Sequence, residues 1–511
     1  MATRLLYLLY VEGCIFFSGF VTSSMRNSIL IFLQLFFSQL IFSQRFSVSY
    51  SETVFDKPFT GKVLLYVSKD HQEPIKAVVG FEQFPCFAID VKNVQPGRAV
   101  LFDDNAISYP AILSSMERNE YYVQAVWDRN LGGRAISESP GNIYSKPIKV
   151  KFTEDRKKIF SIQCDQVIPE KVFKDTKFIK ELKVQSTLLS TFYHKPFFLV
   201  GVVALPATYY DKPQKKFPLV VTVYGWGNDY HNESGDSTSR GRLDSLPAII
   251  VLLDGNCPLG HSVYANSDNN GPYGDALVKE FIPELEKHYY CDGARFLRGH
   301  SSGGWAALWL QTHYPSFFTA CSASSPDPVD FRDFHKVNLY EHDNMFYTKD
   351  ISLRPLALVS GLPWIFQKHG WQMEHVIYRG EQKHSYDAVF SGKGVDGNPE
   401  SICNPVTGEI NKKVLEHWKS YDISLYLRSN WHKLQKDLQG KIRVSVGNQD
   451  NFFLNSAVHL LENEMKNLNT GFVFAYYPGD HFTVFTTDYR KASDYFLIEK
   501  YLQWQKENEV K

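Results

Sequence analysis

The sequence predicts an α/β protein: a doubly wound, mostly parallel sheet carrying an insertion, preceded by a small all-β, sandwich-like domain. Three observations predict it. From about residue 197, nearly continuous apolar runs alternate with helical patterns, as strands buried on both faces do. Between about 45 and 165, short strand-like runs are separated by turns, with no convincing amphipathic helix. Arg298-Gly299-His300-Ser301-Ser302-Gly303-Gly304 sets a G-x-S-x-G pattern between the short run Arg295–Leu297 and the helical pattern Gly304–Leu310.

The chain has 511 residues, too many for one compact core and enough for two or three units of roughly 100–200 residues. Lys plus Arg balance Asp plus Glu at 55 each, so electrostatic affinity for nucleic acid has little to work with. Residues 1–44 read as lying ahead of the fold. Met25-Arg26, the apolar run Ile29–Phe42 and then Ser43-Gln44 follow the cationic, apolar and cleavage regions of a signal peptide, with a mature start near 44. A second apolar run, Leu5–Val21, precedes it, so Met25 reads as an alternative start; a membrane hairpin or uncleaved anchor is the rival. Asn27, Ser28, Gln34, Ser38 and Gln39 weaken a membrane span, and export to the periplasm or beyond is the expectation. Without Cys14 the seven cysteines leave an even six, compatible with disulfides or with buried free thiols.

In order along the chain, Gly61–Val67, Ala77–Val79, Tyr121–Val126 and Ile148–Phe152 read as strands of the β domain. A transition segment covers about 166–196. The larger domain, 197–505, opens with strand candidates Phe197–Leu205, Phe217–Tyr224 and Ala248–Leu253, has its clearest helix at Asp275–Tyr289, and continues with strands Phe317–Ala323, Lys441–Gly447 and Gly471–Tyr477. The interval from about 334 to 440 shows no strand repeat. It holds Trp364, Trp371, Trp418 and Trp431 and reads as a lid or substrate-shaping insertion.

A serine hydroxyl is a poor nucleophile until a base can take its proton. On a sheet of this kind, an acid and then a histidine follow the serine in chain order. His481, in a turn after the apolar run Phe472–Tyr477, has the best context for the base, and Asp450, after Lys441–Gln449, for the acid that orients it. Asp327, Asp330 and Asp333 are rivals, and Asp480 a weaker one because it adjoins the base; the competing role for Asp450 is to cap a helix starting at Asn451–Asn455. His300 is expected to pack or bond to backbone. The amide of Ser302 should supply one oxyanion donor, and that of Trp226 or Gly225, in the loop Tyr224-Gly225-Trp226-Gly227, the second.

The segment from about 197 to 505 resembles the Putative esterase family of α/β hydrolases, which includes S-formylglutathione hydrolase, enterochelin esterase, and the feruloyl and acetyl-xylan esterases of carbohydrate esterase family 1. The resemblance rests on Phe281-Ile282-Pro283-Glu284-Leu285-Glu286, Gly299–Gly304, Trp305–Leu310 and Tyr314-Pro315-Ser316-Phe317-Phe318. Tyr264–Gly274, Ser325–Phe334 and Gly479-Asp480-His481-Phe482 look like a bacterial subgroup of large exported members. It implies Ser301 as nucleophile, Asp450 as acid and His481 as base. The expected chemistry is hydrolysis of a carboxylic ester through an acyl-enzyme, with no metal or organic cofactor. The substrate is expected to be a small-molecule or glycan-linked ester, with no nucleic-acid partner and no stable membrane insertion after leader removal. Tyr264, Asn269, Asn270, Trp364 and Trp371 are candidate cleft residues. A serine peptidase of the same triad order, and a non-catalytic secreted binding protein on this fold, are the competing readings.

Overall fold

The computed structural model describes residues 44–77, 79, 81–153, 158–211, 215–233 and 241–509. The leader reading falls on residues outside that range, as do Cys14 and Val78 of the candidate strand 77–79. Among the described residues no helix is long and apolar enough to cross a membrane.

The N-terminal domain is a pair of sheets. Arg45–Tyr50 sits between Val100–Phe102 and Ile159–Cys164 in a three-stranded sheet. Phe59–Ser68 and Glu120–Asp128 centre a seven-stranded one. Alternate residues of the larger sheet point opposite ways, as a period of two requires. Val63, Leu65 and Val67 pack with Phe46, Val48 and Tyr50 in the core between the sheets. Leu64, Tyr66 and Val126 face outward, where Met373, Val376 and Ile377 of the insertion cover them. Of the candidate strand at 77–79, Ala77 caps the 3-10 turn Pro74–Lys76 and Val79 makes an isolated bridge to Glu82.

The larger domain is built on an eight-stranded sheet. In chain order its strands are β1 (Ile179–Gln185), β2 (Phe198–Ala204), β3 (Phe217–Val223), β4 (Ile249–Leu253), β5 (Cys291–His300), β6 (Ala320–Ser324), β7 (Ile442–Gly447) and β8 (Val473–Tyr477). The spatial order is β1-β2-β4-β3-β5-β6-β7-β8, antiparallel at β1-β2 and β2-β4 and parallel thereafter. Strand β1 corrects the expected boundary at 197: the transition segment supplies an edge of the sheet. Its Ile-Lys-Glu-Leu-Lys-Val-Gln sequence hides it, because an edge strand needs only one apolar face.

Leu219, Val221 and Val223 of β3 face one core and Val220 the other. On the first side lie helices α1 (Ser302–His313), α4 (Ile423–Leu438) and α5 (Leu454–Asn467); on the second, α6 (Thr487–Glu509) contributes Phe496, Leu497 and Tyr501. The helix expected at Asp275–Tyr289 is present but carries a π turn at Leu277–Phe281, immediately before Pro283, which has no N–H to donate. The insertion contains a hairpin absent from the strand reading, Pro355–Val359 with Leu362–Phe366, followed by α2 (Gln367–Ile377) and α3 (Gln382–Phe390). The six described cysteines are all free, and all buried except Cys291.

One ion pair ties the two domains to the insertion. Arg379 donates from Nε and Nη2 to the two carboxylate oxygens of Asp128, 2.6 Å each, and neither side chain is exposed to solvent. Its Nη1 donates to the carbonyls of Gly133, Arg134 and Pro258 at 2.9–3.0 Å. The pairing holds the Asp128 carboxyl below its ordinary range against the opposing effect of burial. Asp128→Ala leaves a buried, unpaired guanidinium, and chemical denaturation should show a loss of about 3–5 kcal/mol; the Asp128→Leu/Arg379→Met pair should recover much of it.

Candidate active site

Strand β5 lies between β3 and β6 and delivers Ser301 at its C-terminal end, immediately before α1. Ser301 has φ 58° and ψ −127°, an uncommon backbone state for a residue with a side chain. The turn is held by Ser301 N–H donating to Ser324 O (3.0 Å), and by the Trp305 and Asp327 amides donating to Ser301 O (3.0 and 3.2 Å). Glycine is required here by clearance. A Cβ on Gly299 would meet Gly303 O at 2.1 Å, and one on Gly303 would meet Val223 O at 2.0 Å.

Asp450 follows β7 and His481 follows β8. Asp450 Oδ2 is 2.8 Å from His481 Nδ1, and both residues are buried. Asp450 also has the competing role read from sequence: its Oδ1 accepts from the amides of Phe452 (3.0 Å) and Leu454 (3.3 Å), the latter opening α5. Asn451 Oδ1 accepts the His481 amide at 3.0 Å, and the Phe452 ring meets the imidazole edge-on at 5.0 Å. The imidazole therefore has a fixed orientation, with Nε2 free to face the cavity that both it and Ser301 line. The rival acids are engaged elsewhere: Asp330 with Arg332 at 2.6 and 2.9 Å, Asp333 with Lys336, and Asp480 within its own turn to Phe482 and Thr483.

Ser301 Oγ donates to Asp327 Oδ1 at a long 3.4 Å. Asp327 Oδ2 accepts from Ser302 Oγ (2.6 Å) and Gln382 Nε2 (3.2 Å). Burial raises the Asp327 carboxyl, with the Ser302 hydroxyl the largest opposing effect. His300 packs against His481 with the rings tilted by 39° and their centroids 4.4 Å apart, and its Nδ1 is 2.8 Å from Ser324 Oγ. Burial first, and the neighbouring His481 second, push the His300 imidazole well below its ordinary range, so it is a neutral packing partner and not a second base.

Gly225 and Trp226 line the cavity beside Ser301. Among the described residues their amides and that of Ser302 are engaged by no protein acceptor. Two groups the sequence reading passed over position this loop. His261 is buried, with Nδ1 accepting from the Val263 amide (3.1 Å) and Nε2 therefore donating to Tyr224 O (3.0 Å); burial lowers its pKa to about 4, which keeps that tautomer neutral. Arg134, from the β domain, lies over the Trp226 ring at 4.8 Å and donates to Gly380 O at 2.8 Å, an oxygen that also accepts from Trp226 Nε1 at 3.4 Å.

The cavity, about 250 Å³, is shared by three parts of the chain: Phe81 from the β domain, Leu356, Gln382, Lys383 and Tyr386 from the insertion, and Phe452, Phe482 and Phe485 from the sheet's loops. None of the five candidate cleft residues lines it. Tyr264 is buried against Tyr273 in the sheet core, the Asn269 amide donates to Ser391 O at 2.9 Å, and Asn270 O accepts from the Tyr193 hydroxyl at 3.0 Å. Trp371 is buried with its indole on Gln367 Oε1 at 3.2 Å, and Trp364 stands behind the wall, stacked on Phe81 at 5.3 Å. Trp371, Trp418, Trp431, Phe346 and Phe390 of the insertion are buried in the core because burying so large an apolar area dominates their placement. Phe482 and Phe485, next to His481 in sequence, were the local clue to the cavity wall; Phe81 and Gln382 had none.

A family model described as Putative esterase matches residues 200–492. Among curated proteins none matches the chain. Solved structures similar to it include a ferulic acid esterase, with 14% identity, 63% of this chain and 98% of that one covered, and a TM-score of 0.38. The Staphylococcus aureus fluorophosphonate-binding serine hydrolase FphF shows 14% identity over 62% and 98%, with a TM-score of 0.38. An S-formylglutathione hydrolase from Agrobacterium tumefaciens shows 15% over 65% and 97%, with a TM-score of 0.36.

Two outcomes follow from this geometry. Gly303→Ala drives a methyl into the β3 backbone, which cannot yield as a side chain could, and should cost more than about 3 kcal/mol or prevent folding, read by urea denaturation. Burial also pushes Glu381, 3.7 Å from Arg134, up to about 8, and Asp387 likewise to about 8. The folded chain then keeps protons that an unfolded carboxyl loses near about 4. Stability should therefore fall as pH rises from about 5 to about 8. Glu381→Gln should make that fall shallower in melting curves across the window; an unchanged slope contradicts the assignment.

Proposed function

The chain belongs to the Putative esterase family, carboxylic ester hydrolases on an α/β-hydrolase fold, and from that premise we propose that it cleaves esters by acyl transfer through Ser301, Asp450 and His481. The doubly wound arrangement of the sheet belongs to the same reading. The observation that supports it best is the 2.8 Å contact of Asp450 Oδ2 with His481 Nδ1, set in the wall of the cavity that Ser301 enters.

Asp450 Oδ2 accepts a hydrogen bond from Nδ1–H, which leaves Nε2 unprotonated as the base. Rotation of the Ser301 side chain from Asp327 toward Nε2 lets its proton pass to the imidazole as Oγ attacks the ester carbonyl. The charge on the carbonyl oxygen is received by the Ser302 amide and by that of Trp226 or Gly225. His481 then protonates the departing alcohol, and water enters by the same route to release the acid and restore Ser301.

The rings of Phe81, Trp226, Tyr386, Phe452, Phe482 and Phe485 favour a bulky, aromatic or carbohydrate-linked ester over a short polar one. Export remains part of the proposal and rests on the Met25–Gln44 pattern. The test is fluorophosphonate labelling of the folded chain together with nitrophenyl ester turnover. Ser301→Ala should abolish both, Asp450→Asn should lower kcat by about 10²–10⁴, and Asp330→Asn should be active. Turnover that survives Ser301→Ala, or activity lost only in Asp330→Asn, rejects the assignment.

A further inference from the structure

Asp327 lines the cavity together with Ser301 and His481. It is 5% exposed, and its own amide donates to Ser301 O at 3.2 Å, which locks its backbone to the nucleophile. Its Oδ2 is well supplied with donors, Ser302 Oγ at 2.6 Å and Gln382 Nε2 at 3.2 Å. Its Oδ1 is differently placed, because the donor it faces is the hydroxyl of Ser301, at 3.4 Å. That hydroxyl loses its proton when Oγ bonds to the acyl carbon. For the whole life of the acyl-enzyme, Oδ1 is then a buried acceptor facing the cavity without the donor it had, a state that buried polar groups avoid. The alcohol has left by then and water passes through to complete the cycle, so the donor that stays in place for the whole of that period is one carried by the acyl group.

We propose that Asp327 is a specificity-determining residue, and that the preferred substrate is an ester whose acyl group bears a hydroxyl or ammonium on the carbon next to the carbonyl. This rests on the acyl-transfer reading. A donor at that carbon is two bonds from the carbonyl carbon, on the reach between Oγ and Asp327 Oδ1. It replaces the Ser301 O–H on the carboxylate and separates that carboxylate from the charge that develops on the attacked carbonyl. The Ser302 and Gln382 contacts hold the carboxyl in place, and Gln382 brings the insertion into the recognition of the acyl group.

The experiment compares kcat/KM for naphthyl esters of propanoate, 2-hydroxypropanoate and 2-aminopropanoate, each divided by its hydroxide-catalysed rate to remove the inductive effect of the substituent. The wild-type chain should favour at least one donor-bearing ester by about tenfold or more. The hydroxyl and amino arms distinguish a neutral from a cationic donor. Asp327→Ala, with Ser301 labelling as the check that its site is folded, should bring the ratio to about one, and Asp327→Leu, which fills the same space without an acceptor, serves if the alanine variant does not fold. A wild-type ratio near one overturns the proposal, as does a preference that survives in a labelled variant. Failure of wild-type chain to label and to turn over all three esters instead overturns the esterase mechanism itself.

Discussion

The site depends on a buried ion pair that is not part of it. Arg379 and Asp128 are wholly enclosed, and a guanidinium in that position is tolerable only because every face of it meets an oxygen: the Asp128 carboxylate and the carbonyls of Gly133, Arg134 and Pro258. Those oxygens come from the β domain and from the loop after β4, while Arg379 comes from the insertion. The next residues are Gly380, whose carbonyl takes the Arg134 guanidinium and the Trp226 indole, and Gln382, whose amide reaches Asp327. Gly380 sits at φ 86°, and a Cβ there would strike Arg134 O at 2.1 Å. The ion pair thus fixes a turn that bears on the oxyanion loop on one side and on the Asp327 carboxyl on the other.

This arrangement gives the β domain a physical role. It carries no nucleophile, acid or base of the site, yet it contributes Phe81 to the cavity wall and Arg134 over Trp226, and its outer sheet face is covered by α2. Removing it would expose Met373, Val376 and Ile377 to water and leave Arg379 without its counter-ion. The domain and the insertion are therefore two halves of one support for the loops at the C-terminal edge of the sheet.

The two carboxylates of the site are held differently. Asp450 is spent on the imidazole and the start of α5. Asp327 is raised by burial and held by hydroxyl and amide donors. His300, neutral at the end of β5, lets the two imidazoles pack together without a second positive charge. Ser301 stands in a strained turn, and the strain is sustained by glycines at 299 and 303 that let three stretches of backbone pass within contact of one another.

By itself the sequence determined the local and the ordered: the apolar runs of β2 to β8, the elbow around Ser301, and Asp450 and His481 as residues after consecutive strands. Such features are written in short windows, where periodicity and glycine placement have direct steric meaning. Strand β1 escaped because an edge strand lacks the double-sided apolar signal, and the hairpin at 355–366 because its exposed face breaks the pattern. Only the tertiary structure decided the cavity wall. Of the tryptophans that read as cleft residues, Trp371 went to the buried core and Trp364 to the back of the wall against Phe81, while Phe81, Arg134, His261 and Gln382 came to the site from distant segments with no shared local pattern. A ring looks the same in sequence whether it faces a ligand or a core, and which it faces is settled by what the rest of the chain packs against it.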